Sequence, residues 1–178
     1  MSSSRAELYK REFRYKWRDG VIREWIVKQL LDLIFMQKNL PYRVLWTGVG
    51  AGNAEYVEEN YDSPLNAFDL VIVDENMKIM AYLEITGTKD LEKGEELCIG
   101  AWKIFKAERF NVQDKVWYIH VLSSKIPIRV INYHRLRKIA SFRQLHETSL
   151  VCGKFYCSKT SKWGSINDLI RWLQVKKK

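Results

Sequence analysis

At 178 residues, 47% of them apolar and 13% aromatic, the chain can bury a core without staples, and disorder of the whole is excluded. No apolar stretch approaches the ~20 residues of a membrane span, and the opening MSSSRAELYKREFRYKWRDG lacks the apolar centre of a secretion signal, so a cytoplasmic (intracellular) protein is expected. Thirty Lys and Arg against twenty-one Asp and Glu leave a formal charge of +9, which points to a polyanionic partner.

The positive charge is uneven. Residues 1 to 28 hold Arg5, Lys10, Arg11, Arg14, Lys16, Arg18, Arg23 and Lys28, interleaved with Tyr9, Phe13, Tyr15 and Trp17, and the chain ends in VKKK. Clustered cations beside aromatic faces are the footprint of a phosphate-backbone binder, here DNA; a solvated basic face is the plainer alternative. Residues 1–19 read as a basic arm or helix. From Val21 to Gln37, residues Ile22, Trp25, Ile26, Leu30, Leu33 and Ile34 fall at helical spacing, and Pro41 limits the helix. Glu24 lies on it, four residues before Lys28, so an i,i+4 ion pair is its plainest role.

YRVLWTGVG predicts a strand running into a Gly-rich loop that includes Gly48, Gly50, Gly52 and Asn53. AGNAEYVEENYDSPLN follows as loop or short helical turn. FDLVIVDE and KIMAYLEITGT are apolar runs joined by the polar ENMK and should pair antiparallel. GEELCIGAWKIFKAERF has helical spacing through Leu97, Ala101, Ile104 and Phe105; KVWYIHVLS and IPIRVINYHRL read as strands; SINDLIRWLQ closes as a helix capped by Ser165 or Asn167. The expected order is α-β-β-β-α-β-β-α, an α/β fold with a mixed sheet flanked by helices. It forms one domain over 1–178: the arm 1–19, a core 20–122, and C-terminal strands and helix 123–178. Cys98, Cys152 and Cys157 form neither a disulfide framework nor a zinc pattern and read as buried or neutral thiols. His120, His134 and His146 lack partner spacing and read as satisfied or surface residues.

A divalent-metal nuclease needs carboxylates converging at a sheet edge, where a hard cation such as Mg²⁺ can bind oxygens and keep waters for attack on phosphate. Asp69 opens one strand of the hairpin and Glu84 ends the other, so antiparallel pairing brings them together. Glu24 can join them from the helix. The plainer roles are a turn cap for Asp69, a sheet-end ion pair for Glu84 and the Lys28 pair for Glu24.

In this arrangement the chain resembles the PD-(D/E)xK nuclease superfamily, and within it the archaeal Holliday-junction-resolvase branch. DGVIREWIVKQLL supplies Glu24 on the first helix, TGVGAGN stands where the family's Gly-rich loop belongs, Asp69 matches the Asp opening the second strand, and LEIT supplies Glu84. The likeness spans roughly residues 20 to 122. It implies a restriction-endonuclease-like core and a metal-dependent DNA endonuclease acting on double-stranded or branched DNA as a two-fold homodimer. Mg²⁺ or Mn²⁺ would be held by Asp69, Glu84 and the carbonyl of Ile85, with Glu24 holding a water bound to the metal. The Gly48–Asn53 loop would let the DNA backbone approach, beside Arg11, Arg14, Lys16 and Arg18.

Two departures stand out. Phe68 replaces a Pro often found before the Asp, without consequence. Thr86 takes the place of the catalytic Lys, and Thr can only hydrogen-bond where a cation would orient water and stabilise charge on the phosphate. Lys89 is the expected substitute, with Lys103 or Lys106 on the following helix as alternatives. A rival of another class keeps the fold but has lost the Lys, leaving a DNA-binding module. A methyltransferase is a further rival, but only seventeen positions separate Gly52 from Asp69, too few for the βαβ unit of ~30 residues that a doubly wound fold requires.

Overall fold

A computed structural model describes residues 5–47, 63–87, 92–93, 95–122, 128–148 and 151–176. The predicted first helix is longer than its apolar pattern: α1 runs Arg5–Gln37 and takes in most of the basic arm. Leu40 N bonds back to the Phe35 carbonyl at 2.9 Å before Pro41, and β1 (Tyr42–Trp46) follows. After the one-turn α2 (Pro64–Ala67), β2 (Leu70–Asp74) and β3 (Ile79–Thr86) form the expected antiparallel hairpin, with Leu70 opposite Leu83. Asp74 closes its turn by accepting from Asn76 N and Lys78 N, each at 2.9 Å.

The next segment departs from the predicted single helix. It is a short strand β4 (Glu92–Lys93), a strand β5 (Glu96–Gly100) and only then α3 (Ala101–Arg109). Leu97 and Ile99 face one core while Cys98 faces another, a period of two. Gly100 makes the join, because a Cβ there would sit 2.2 Å from the Trp102 ring. β6 (Val116–Val121) is as expected, but the second predicted strand stops early: β7 covers Ile128–Asn132, and α4 (Tyr133–Ile139) begins at once. Asn132 is the reason, since its side chain accepts from Arg135 N at 2.8 Å and caps the helix. A hairpin of β8 (Ser141–Thr148) and β9 (Val151–Lys159), unassigned by sequence pattern, precedes α5 (Ile166–Lys176). At that last helix Ser165, one of the two predicted caps, stands just before Ile166, and the Asp168 carboxylate accepts from Ser165 N at 2.8 Å.

The strands make two sheets. One has the order β1-β2-β3-β6-β7 and is mixed, β3 and β6 being parallel and its other pairs antiparallel. The other, β4-β5-β9-β8, is antiparallel. One face of the mixed sheet buries Ile72, Leu83 and Ile119 against Val27 and Leu31 of α1 and Leu169 of α5. The opposite face buries Val71, Tyr82 and Tyr118 against Ile104 of α3, Leu136 of α4 and Ile99 of β5. Alternation along β3 therefore turns Ile85 toward α1 and Glu84 toward α3. The cysteines correct the sequence reading. Cys98 and Cys157 are opposite partners in the β5–β9 pair and are joined by a disulfide, which a pattern of three irregularly spaced cysteines does not reveal.

Candidate metal and nucleic-acid site

Asp69 precedes β2 and is held by main-chain pairing, its N–H donating to the Leu83 carbonyl at 3.1 Å. Its Oδ2 accepts the Ile85 N–H at 2.6 Å. That bond fixes the carboxylate beside the peptide that carries the Ile85 carbonyl, and Glu84 is the residue before it. The expected convergence of Asp69, Glu84 and Ile85 at one end of the hairpin is thus what β2–β3 pairing produces. Past Thr86 the chain turns away at Gly87, φ +141°, where a Cβ would lie 2.1 Å from the Val121 carbonyl oxygen.

Two lysines come down onto this edge from α3. Lys103 Nζ is 2.5 Å from Glu84 Oε1 and donates to the Ile85 carbonyl at 3.0 Å; Lys106 Nζ is 3.3 Å from Glu84 Oε2. One turn apart on α3, they address opposite oxygens of one carboxylate. Tyr118, beside Glu84 in the β3–β6 register, donates to the Lys103 carbonyl at 3.4 Å and ties α3 to the sheet.

The electrostatics divide the two acids. Burial pushes the Asp69 carboxyl up to about 6, with the Glu84 charge adding to it and the two lysines and the Ile85 N–H opposing. Burial acts upward on Glu84 as well, but contact with Lys103 and Lys106 outweighs it and holds that carboxyl below its usual range. For Lys103, burial would weaken the ammonium; Glu84, Asp69 and Glu24 prevail and keep it more basic than an ordinary lysine. Glu24 is buried on α1, and its charge acts on Lys103, so the helix does face the cluster. Lys28 pairs with Asp32 at 2.5 Å on the same helix.

Other predicted residues fall elsewhere. Lys89 and the loop with Gly48, Gly50, Gly52 and Asn53 lie outside the described residues. Arg11, Arg14, Lys16 and Arg18 are on α1. His120, read as an ordinary histidine, is fully buried beside Thr86 in the β3–β6 register, with Glu92 Oε1 3.5 Å from its Nε2. Burial pushes it down to about 4, against the Glu92 charge. Its two-residue spacing from Tyr118 in VWYIHV, on the strand paired with β3, was the available sequence clue.

The donor set suits a hard cation. Two carboxylates and a carbonyl are oxygen ligands, and Mg²⁺ is commonly bound through one or two carboxylates while retaining waters. Lys103 demonstrates that a positive charge is accepted at Glu84 and Ile85. Among the described residues no group of three or more His, Cys, Asp or Glu side chains is placed to hold a metal, so the protein side chains offered here are the pair Asp69 and Glu84.

No protein-family model matches the chain, and no curated protein matches it. Among solved structures it is similar to a nuclease from a fusselovirus, with a TM-score of 0.61 and 19% identity over 86% of this chain and 91% of that one. It is also matched to Hjc, a Holliday junction resolvase from the archaeal hyperthermophile Archaeoglobus fulgidus, at a TM-score of 0.42 and 13% identity over 78% of this chain and 93% of the other. The viral structure shows that this chain shares its fold, the expected α/β core with a mixed central sheet flanked by helices. Among the described residues no helix is long and apolar enough to cross a membrane.

Proposed function

We propose that the chain is a metal-dependent DNA endonuclease whose site is the Asp69–Glu84–Ile85 edge. The observation that carries this reading is the 2.6 Å bond from Ile85 N–H to Asp69 Oδ2, which aligns a carboxylate, a second carboxylate and a carbonyl at one sheet end. Asp69, Glu84 and the Ile85 carbonyl would hold Mg²⁺ or Mn²⁺, which supplies Lewis acidity toward the phosphoryl oxygen. Glu24, close enough to act on Lys103 from α1, accepts a hydrogen bond from the attacking water and orients it. Lys106 offers its ammonium to the charge that develops on the phosphate, the role that Thr86 cannot fill. Helix α3 thus supplies the cation that β3 lacks; its support is the contact of Lys106 with Glu84. The basic first helix engages phosphates, and two copies of the chain act on two strands of duplex or branched DNA.

The test is a gel assay of labelled junction, flap and linear duplex DNA with Mg²⁺, Mn²⁺ or chelator. Cleavage should require metal and should vanish in Asp69→Ala and Glu84→Ala while DNA affinity stays near wild type. Lys106→Met should lower the rate by about 10²-fold, the scale of losing one preorganised donor. A chain that binds DNA equally well in chelator and never cuts would instead be a binding module on a nuclease fold.

A further inference from the structure

Every group assigned to the metal site acts on one ammonium. Lys103 Nζ touches Glu84 Oε1 at 2.5 Å and the Ile85 carbonyl at 3.0 Å, and Asp69 and Glu24 both act on its charge. Lys106 lies at 3.3 Å from the other Glu84 oxygen, farther than Lys103 from its own. We infer that the Lys103 ammonium and the divalent cation are alternative occupants of the same oxygens of Glu84 and Ile85, so that metal entry displaces Lys103 while Lys106 stays at Glu84.

This rests on the metal-site reading above and adds an exchange to it. Ligand oxygens lie ~2.0–2.1 Å from Mg²⁺, so a metal using the two oxygens that Lys103 now bridges would stand at contact distance from the ammonium, where like charges repel strongly at the low dielectric of a protein edge. One of them must leave. Lys103 can, because its side chain retains 20% exposure and ends a flexible four-carbon stem, whereas Glu84 retains 1% and has no route out. The arrangement also explains how buried Glu84 and half-buried Asp69 tolerate each other: without metal, a cation of the chain's own compensates them, and an uncompensated pair would be costly. Displaced by metal, Lys103 swings outward from the edge on the side where phosphate must approach. The metal affinity of the site is accordingly set by a competitor on α3 as well as by its ligands.

The experiment is Mn²⁺ binding to the full chain without DNA, by electron paramagnetic resonance of free Mn²⁺ and by calorimetry. Lys103→Met should bind Mn²⁺ at least about tenfold more tightly than wild type, because a buried ion pair no longer has to be broken. Lys103→Arg should bind it more weakly, because a planar fork spans two oxygens and is harder to displace. Lys106→Met should give a smaller gain than Lys103→Met. Binding by Lys103→Met that is equal to or weaker than wild type overturns the exchange while leaving the metal site standing. Absence of Mn²⁺ binding in every form overturns both. If Lys103→Met does not fold, Lys103→Arg decides: affinity unchanged from wild type rejects the competition.

Discussion

Asp69 and Glu84 are neighbours with opposite responses to one environment, and that difference has a measurable sign. The folded-state value of Asp69, about 6, lies above its ordinary 3.8, so the folded protein binds more protons than the unfolded one between those values. Stability contributed by Asp69 is therefore lost as pH rises from about 4 to about 6. Glu84, held down by Lys103 and Lys106 against its burial, has the reverse sign and favours the fold above the ordinary carboxylate range. Asp69→Asn keeps an oxygen for the Ile85 N–H and removes the half-buried charge. We expect the metal-free variant to melt higher than wild type at pH 7, by about 2–4 °C for each kcal/mol relieved, and at the same temperature at pH 4, while being unable to cleave. Calorimetry at the two pH values checks this; an Asn variant less stable than wild type at pH 7 would show that the ionised acid is well solvated. Saturating Mg²⁺ should narrow the gap by stabilising wild type alone.

Helix α1 and the β2–β3 hairpin were legible in the sequence because each has one dominant apolar period and polar punctuation at its ends. Asp69 and Glu84 could be placed for the same reason, since antiparallel pairing leaves one choice for the neighbour of a strand opening. The stretch 96–109 was not, because Leu97, Ala101 and Ile104 fit a helical period while Leu97 and Ile99 fit a strand, and neither period marks the boundary at Gly100, where an added Cβ would meet the Trp102 ring. That same boundary sets which α3 residues face Glu84, so the choice among the lysines could not be made from spacing. β8 was hidden for a different reason: SFRQLHET has little apolar alternation, and its strand state comes from pairing with β9. The second sheet carries the disulfide, which closes a separation of 59 residues that includes α3 and both lysines. Such a bond sits uneasily with a reducing compartment, where disulfides are rare. Replacing Cys98 and Cys157 together by Ala should cost about 2–4 kcal/mol of stability, read as a lower urea midpoint; an unchanged midpoint would mean the thiols contribute by packing alone. For α1 the expectation is electrostatic. Each phosphate neutralised contributes about −0.9 to the log–log salt slope of DNA affinity, so deleting residues 1–18 should flatten that slope, and an unaltered slope would turn the basic helix face away from DNA.

At the scale of the molecule, α1 has a second surface that the fold does not use. Val27, Leu31 and Phe35 point into the core, yet Ile22 is 55% exposed, Trp25 55%, Leu33 45% and Met36 71%. Large apolar side chains collected along one outer helix face are costly to leave in water and mark contact sites. A helix face of this kind is self-complementary under a two-fold axis, because antiparallel copies crossing near position 29 place Ile22 near Met36 of the other chain and Trp25 near its Leu33. Such an axis would also answer the needs of the proposed reaction, since symmetric incision of two strands requires two sites in fixed relation. The two expectations can be separated. Light scattering at micromolar concentration should give about twice the 21.1 kDa chain mass, and Trp25→Glu with Met36→Glu should give a monomer that still binds Mn²⁺, because neither side chain belongs to the Asp69–Glu84 edge. That monomer should nick one strand of a branched DNA but lose paired incision. A wild-type chain that scatters as a monomer with and without DNA would exclude the two-fold assembly, and the exposed α1 face would then need another partner.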